Sequence, residues 1–226
     1  VLKASKALLT YVENRKNGED SSDLLGDEKQ VVQLIIGVKK LSAKGRHKPY
    51  RIPLRVPLYD ESSEVCVFTK ASDKEHLERI KNLGVPQIKE AISILQLKHD
   101  YKPYEARRQL LDSYDLFLAD DRIIKSLPEA LGTKFFTKKK LPSPVDLTAK
   151  NVKSEISKAL SCTYFSPTKG TCSAVKVGTT DMTAEQLAQN IESAAEAIAE
   201  RIPKKWDNIQ SLSIKTGKSL ALPIYN

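Results

Sequence analysis

Two adjacent carboxylates, Asp120 and Asp121, stand at the end of the apolar run Leu116-Phe117-Leu118-Ala119, with Arg122 immediately after. In an open α/β sheet, ligands gather at the carboxyl ends of strands, so the pair sits where an enzyme keeps its acids. Acid–base or metal work would need a partner: a second carboxylate at D-x-D spacing, a lysine, or a histidine within reach. The chain offers Asp-Asp-Arg and three histidines, His47, His76 and His99, all in polar stretches. The competing reading is structural. An Asp after a strand caps the exposed N–H groups of the helix that follows, and Arg122 offsets the surplus charge. The structural reading is the expectation, with no catalytic residue, no metal and no cofactor assigned.

A second string, Gly217-Lys218-Ser219, echoes the end of a phosphate-binding loop. That motif needs a glycine five residues before Gly217, where Leu212 stands, and a helix after the serine, where "LALPIYN" follows. Nucleotide binding is therefore not expected. What survives is a glycine turn that lets backbone N–H groups approach phosphate, with Lys215 and Lys218 adding charge.

The third feature is charge. From Lys39 to Arg55 the chain carries seven Lys/Arg (Lys39, Lys40, Lys44, Arg46, Lys48, Arg51 and Arg55) and no acid. Basic runs are usually solvated faces. This one also holds Tyr50 for stacking and adjoins a strand, which favours RNA. A shorter run holds Lys134, Lys138, Lys139 and Lys140, again without an acid; it is read either as a phosphate contact or as a soluble interdomain linker. The whole chain has 37 Lys and Arg against 28 Asp and Glu, a net charge of +9. Such a surplus points to a polyanionic partner.

With 226 residues, 40% hydrophobic and 29% charged, the chain has material for one large or two modest domains. No apolar run approaches the ~18 residues of a membrane helix, and no secretory signal is visible. The absence of a starting methionine suggests part of a longer protein. Cys66, Cys162 and Cys172 form no C-x-x-C pair, so buried, reduced thiols are expected rather than disulfides or zinc. Trp206 is expected to pack.

The elements that position these residues follow from periodicity. Leu2, Leu8, Leu9 and Val12 share a helical face. "VVQLIIGVKKL" (31–41) is a β-branched strand, and Pro53 and Pro57 suggest an edge strand running into a linker. After Asp60 come a strand at 64–70 and a helix at 72–84, with Ser72 as cap, Glu75 at the capping-box position and Gly84 as stop. "QIKEAISIL" is a short helix or strand. A helix at 104–114 feeds the strand 115–119, and a final helical stretch is broken by Pro128 and closed by Gly132. Alternating strands and helices argue a small parallel α/β domain. Beyond Asn151 lie an amphipathic segment, the strand "CSAVKVG", and a long helix with Thr183 and Gln186 as capping box. Its core stripe is Leu187, Ile191, Ala194, Ala195, Ile198 and Ile202. A last strand and a tail close the chain.

Three strings, "YEARRQLLDSYDLFLADDRIIKSLPEALG", "VKVGTTDMTAEQLAQNI" and "SIKTGKSLALPIY", in this order, resemble the ribosomal protein L1 family. Their wording is most similar to its eukaryotic nucleolar branch of ribosome-biogenesis factors. The resemblance implies a two-domain ribosomal L1-like fold, α/β overall, that binds RNA without catalysis. Domain I would be discontinuous, 1–60 and 146–226; the segmentation above puts a Rossmann-like α/β insertion at 61–145. The family's RNA face lies on domain I, at a loop and strand near the N-terminus and a Thr-Met-Gly-Pro-Ser-type turn near the C-terminus. Thr216, Gly217, Lys218 and Ser219 match that turn, with Lys215 before it, though the methionine and proline are missing. The aromatic residue before the first strand is also missing, with Leu24-Leu25-Gly26-Asp27 in that region. The resemblance further implies a nucleolar, pre-60S rRNA-processing role, with pre-ribosomal RNA, assembly factors and ribosomal proteins as partners and neither membrane nor small-molecule substrate. A small-subunit processome factor, the mature stalk protein and, from another class, an α/β hydrolase or phosphatase are the alternatives.

Overall fold

The computed structural model describes residues 1–17, 30–41, 49–60, 62–70, 74–81, 84–138, 140–167, 170–217 and 219–225. In chain order the first elements are α1 (Leu2–Asn17), β1 (Val31–Val38), β2 (Tyr50–Pro53), β3 (Val65–Thr69), α2 (Lys74–Lys81) and β4 (Ile88–Ser93). Next come α3 (Ile94–His99), α4 (Tyr104–Ser113), β5 (Leu116–Asp120), α5 (Leu127–Leu131), α6 (Thr133–Thr137) and β6 (Ser143–Val145). The chain ends with α7 (Val152–Leu160), β7 (Cys162–Phe165), β8 (Cys172–Thr179), α8 (Ala184–Arg201), a 3-10 turn (Lys205–Asn208), β9 (Ile209–Lys215) and β10 (Leu222–Tyr225).

The chain divides into two compact units, one of Val1–Leu58 with Ser161–Asn226, the other of Tyr59–Leu160. In the first, an antiparallel sheet runs β10-β9-β1-β8, and β2 pairs with β7. β1 alternates along its length because only one of its faces meets the core. Val32, Leu34 and Ile36 are buried there with Val175, Val177, Leu212 and Ile214 of the neighbouring strands. α8 begins at a capping box in which the Thr183 hydroxyl accepts from the Gln186 amide while Gln186 reaches back. Its stripe of Leu187, Ile191, Ala194, Ala195 and Ile198 fills the same core.

In the second unit the sheet is wholly parallel, in the order β4-β3-β5-β6. β3 and β5 are buried along their whole length, as strands covered on both faces must be. The insertion is therefore longer than 61–145. α7 belongs to it, because Ile156, Ala159 and Leu160 are buried with Val65, Val67, Leu77 and Leu118. The ambiguous "QIKEAISIL" is both things in turn: β4 ends at Ser93, whose hydroxyl opens α3 through a second capping box.

Several local expectations are corrected. Pro128 does not break a helix. It stands in the first turn of α5, where its missing N–H costs nothing. The tail contains β10, which pairs antiparallel with β9. Cys66 and Cys162 are buried, but Cys172 is exposed at the start of β8. Trp206 packs edge to face on Tyr225, as expected, but remains 42% exposed. Gly132 does close its helical stretch, as the C-cap of α5 at φ 79°, while Gly84 takes φ 70° beyond the end of α2 at Lys81, values that favour glycine. Ser72, the side chain of Glu75 and the stretch Leu24–Asp27 lie outside the described residues.

Candidate nucleic-acid interface

Strand register decides which cations meet. β1 pairs with β8 and β9, placing Gln33 opposite both Lys176 and Lys215. All three alternate with core residues, so they share the sheet face turned away from the core. They form one row across three strands, each neighbouring pair of Cβ atoms about 5 Å apart. The next rows on this face, Ala174, Ile35 and Ser213, then Cys172, Gly37 and Ser211, are small apart from Ile35. Gly37 has a packing reason, since a Cβ there would stand 2.6 Å from the Ser211 Oγ. Small side chains leave backbone and lysine ammonium groups within reach of a phosphate chain.

The turn after β9 extends the row. The Thr216 amide donates to the Ser219 Oγ at 2.9 Å, which closes the turn. The Thr216 Oγ1 is buried and has no hydrogen-bond partner among the described residues, a condition that calls for an explanation in a native fold. A Cβ at Gly217 would meet nothing within 4 Å, so the backbone there can be approached closely. Lys215, Thr216, Gly217 and Ser219 thus lie together; Lys218 falls outside the described residues. Sequence reasoning missed Gln33 and Lys176, whose membership depends on pairing between distant strands.

Lys39 and Lys40, which open the basic run, do not join this turn. Val38 pairs with Ile209 and Gln33 with Lys215, so Lys39 and Lys40 leave β1 at the opposite end of β9. The seven residues of β9 separate the two ends by about 20 Å at ~3.4 Å per residue. Tyr50 is also already occupied: its ring stacks on Phe165 at 6.3 Å, with the Arg201 guanidinium 5.6 Å from its centroid. Arg51 lies in β2 opposite Tyr164. Lys44, Arg46 and Lys48 lie outside the described residues.

The second lysine run has structural work. The Lys138 ammonium pairs with Asp112, and this bond holds the Asp112 carboxyl below its usual range. The Lys140 ammonium donates to the carbonyls of Leu111 and Tyr114 at 3.1 and 3.0 Å. These two lysines fasten the segment after α6 to the end of α4, inside the Tyr59–Leu160 unit, which corrects the linker reading for them. Lys134 lies in α6; Lys139 lies outside the described residues.

At the carboxyl end of β5, Asp120 is 1% exposed. Its Oδ1 accepts from the Arg122 amide at 3.0 Å, and the guanidinium donates to both oxygens, as close as 2.6 Å. That hydrogen bonding raises the Arg122 pKa. The segment after Asp120 is a run of turns, with α5 starting only at Leu127. Asp120 therefore closes a turn onto Arg122 and does not cap a helix, a correction of detail within the structural reading. Nearby in the parallel unit, a cavity of about 260 Å³ is lined by Glu78, Lys81, Glu90, Asp100 and Tyr101 among others. Glu90 accepts the Tyr114 hydroxyl, and burial pushes the Tyr114 phenol and the Cys66 thiol well above their ordinary values. Among the described residues no cluster of His, Cys, Asp or Glu has the geometry for a metal ion, and no helix is long and apolar enough to cross a membrane.

Comparison with known proteins accounts for this arrangement. The model of the ribosomal protein L1p/L10e family matches residues 9–220. Mouse "Ribosomal L1 domain-containing protein 1" is 33% identical over 98% of this chain and 50% of its own length. A Schizosaccharomyces pombe protein named for ribosome biogenesis is 32% identical over 99% of this chain and 64% of its own. Large ribosomal subunit protein uL1 of Neurospora crassa is 31% identical, with 87% of each chain covered. The chain spans about half to two thirds of the length of the first two. Matched along nearly its whole length, with a split antiparallel unit and a parallel inserted one, the chain belongs to the ribosomal protein L1 family.

Proposed function

We propose that this chain is a non-catalytic RNA-binding factor of ribosome biogenesis, and that it grips pre-ribosomal RNA through the Lys176–Gln33–Lys215 row and the turn that follows it. The observation that carries the reading is the row itself. Two cations on either side of an amide, continuous with a turn whose glycine backbone faces open space, suit phosphates and ribose hydroxyls rather than base edges. Two relatives named for ribosome biogenesis are matched over 99% and 72% of this chain, and the large-subunit protein uL1 of Neurospora crassa over 87%. The methionine and proline absent from the turn favour an assembly factor over the stalk protein. The pre-60S particle, rRNA processing and the nucleolus are the setting we favour, with assembly factors and ribosomal proteins as neighbours.

Crosslinking the protein to RNA in cells and sequencing the attached fragments identifies the RNA. Against that RNA, Lys176→Gln with Lys215→Gln should weaken binding. The slope of log affinity against log salt should flatten by up to about 1.4–1.8, since each lost phosphate contact removes ~0.7–0.9. Lys102→Gln with Lys125→Gln, exposed in the other unit, removes the same charge and should do far less. Equal losses would mean diffuse attraction and sink the proposed grip.

A further inference from the structure

The other end of the same sheet is built as deliberately as the first. Asn208 is 3% exposed, and its amide clamps Lys40 from both sides: Oδ1 accepts from the Lys40 N–H at 2.8 Å, and Nδ2 donates to the Lys40 carbonyl at 2.9 Å. The Lys39 N–H donates to the Asn208 carbonyl at 2.8 Å, and the Lys39 ammonium to the Asp207 carbonyl at 3.2 Å. Both lysines are exposed and pinned to the 3-10 turn. Within and just before that turn, Lys204 and Lys205 take φ of 64° and 51°, the only non-glycine residues at positive φ among those described. Left-handed backbone at two successive lysines is strained, and strain of this kind collects at functional places. Both side chains are exposed and make no ion pair among the described residues. Beside them Trp206 and Tyr225, 42% and 45% exposed, meet edge to face at 5.9 Å and 65°.

We infer that Lys39, Lys40, Lys204 and Lys205, arrayed around the exposed Trp206–Tyr225 pair, form a second RNA contact that takes an unpaired strand, phosphates on the lysines and a base on the indole. The inference rests on the chain being an RNA binder, and adds a surface about 20 Å from the Lys215 turn by the strand arithmetic above. Cations interleaved with exposed aromatic rings are the hallmark of single-strand binding, because every base offers a π-face beside its phosphate. An acidic peptide would use the lysines and leave the rings idle. The carboxylate in the cluster, Asp207, belongs to the turn whose carbonyl holds Lys39.

Trp206 is the only tryptophan of the chain, so its emission reports on this surface alone. The whole protein is titrated with an unstructured oligouridine of about 12 nucleotides, and total binding is followed in parallel by anisotropy of the labelled RNA. Trp206 emission should be quenched with the same midpoint as the anisotropy. Lys204→Gln with Lys205→Gln should weaken binding at least fivefold and lower the salt slope by about 1.4, two contacts at ~0.7 each for a single strand. Lys204→Asn with Lys205→Asn, in a residue that tolerates the left-handed region, should do the same while melting like the parent. Trp206→Ala should cost fivefold or more, Trp206→Phe much less. Lys102→Gln, exposed in the other unit, should leave the quenching midpoint within twofold. Binding by anisotropy with unchanged emission and unaltered lysine variants would overturn this surface while leaving RNA binding intact. No binding to oligouridine or to the crosslinked RNA would overturn both. Equal quenching by polyglutamate at matched charge would overturn it in favour of an acidic partner.

Discussion

Asn190 lies in the middle of α8, fully buried among Leu187, Ile191 and Ala194, and Asn190→Ala tests how the two ends of the chain are tied into one unit. Its Oδ1 accepts from the Val56 N–H at 2.9 Å; its Nδ2 donates to the Val56 and Val177 carbonyls, both at 3.0 Å. One side chain therefore joins the segment after β2 to β8 and α8. The substitution removes three hydrogen bonds worth roughly 1 kcal/mol each, net. Val56 is half-buried, so water recovers part of its loss. The Val177 carbonyl is in the core and retains a desolvation penalty of about 1–3 kcal/mol if left unpaired. The expected loss is about 3–4 kcal/mol, confined to the split unit. Urea unfolding followed by Trp206 emission, which reports that unit, would show the midpoint falling with an unchanged slope. Fluorescence from a dye at an introduced surface cysteine in the parallel unit would show its transition in place. A loss below about 1 kcal/mol, or an equal shift in both transitions, would refute the reasoning.

Other outcomes follow from packing. A fragment of residues 59–160 should melt cooperatively by itself, whereas 61–145 should not, because it exposes the core that Ile156, Ala159 and Leu160 cover; circular dichroism of the two decides it. In the native protein a thiol reagent at pH 8 should modify Cys172 first. Cys66 should react only on unfolding, since burial raises its pKa and the protonated thiol is not the nucleophile. Reaction of Cys66 at the rate of Cys172 would count against the packing of β3.

What was legible in the sequence was whatever local chemistry decides. The Thr183 and Gln186 box, the glycine stop at 132, and the continuous apolar runs of β3 and β5 each follow from a few neighbouring residues. The fold class followed too, through motif strings that keep their order. Pro128 was misread because a proline that breaks a helix and one that starts it look alike until the start is known. Asp120 was misread because its partner is Arg122 two residues on, a turn rather than a helix end. Lys138 and Lys140 looked like a solvated run, but Asp112 and the end of α4 hold them, and no periodicity reveals that. The largest error was geometric. Lys39 follows the end of β1 and Lys215 ends the neighbouring β9, yet antiparallel register sends them to opposite ends, so the two basic stretches do not meet. Lys176 and Gln33 joined the interface by the same register, which is written in no single stretch of chain.

The place of β1 between β8 and β9 has a consequence for the nascent chain. The ribosome releases β1 long before either partner exists, and at about 5–20 residues per second the wait from Val38 to Cys172 is on the order of ten seconds. Through that interval an apolar segment, Val31–Val38, has both edges open, which is a template for wrong pairing. The parallel unit is emitted during the wait and can fold within it, drawing its own ends together and shortening the loop that β8 must close. Order of synthesis thus makes the insertion a scaffold in time, whose early folding would protect the strand on which both proposed RNA surfaces depend.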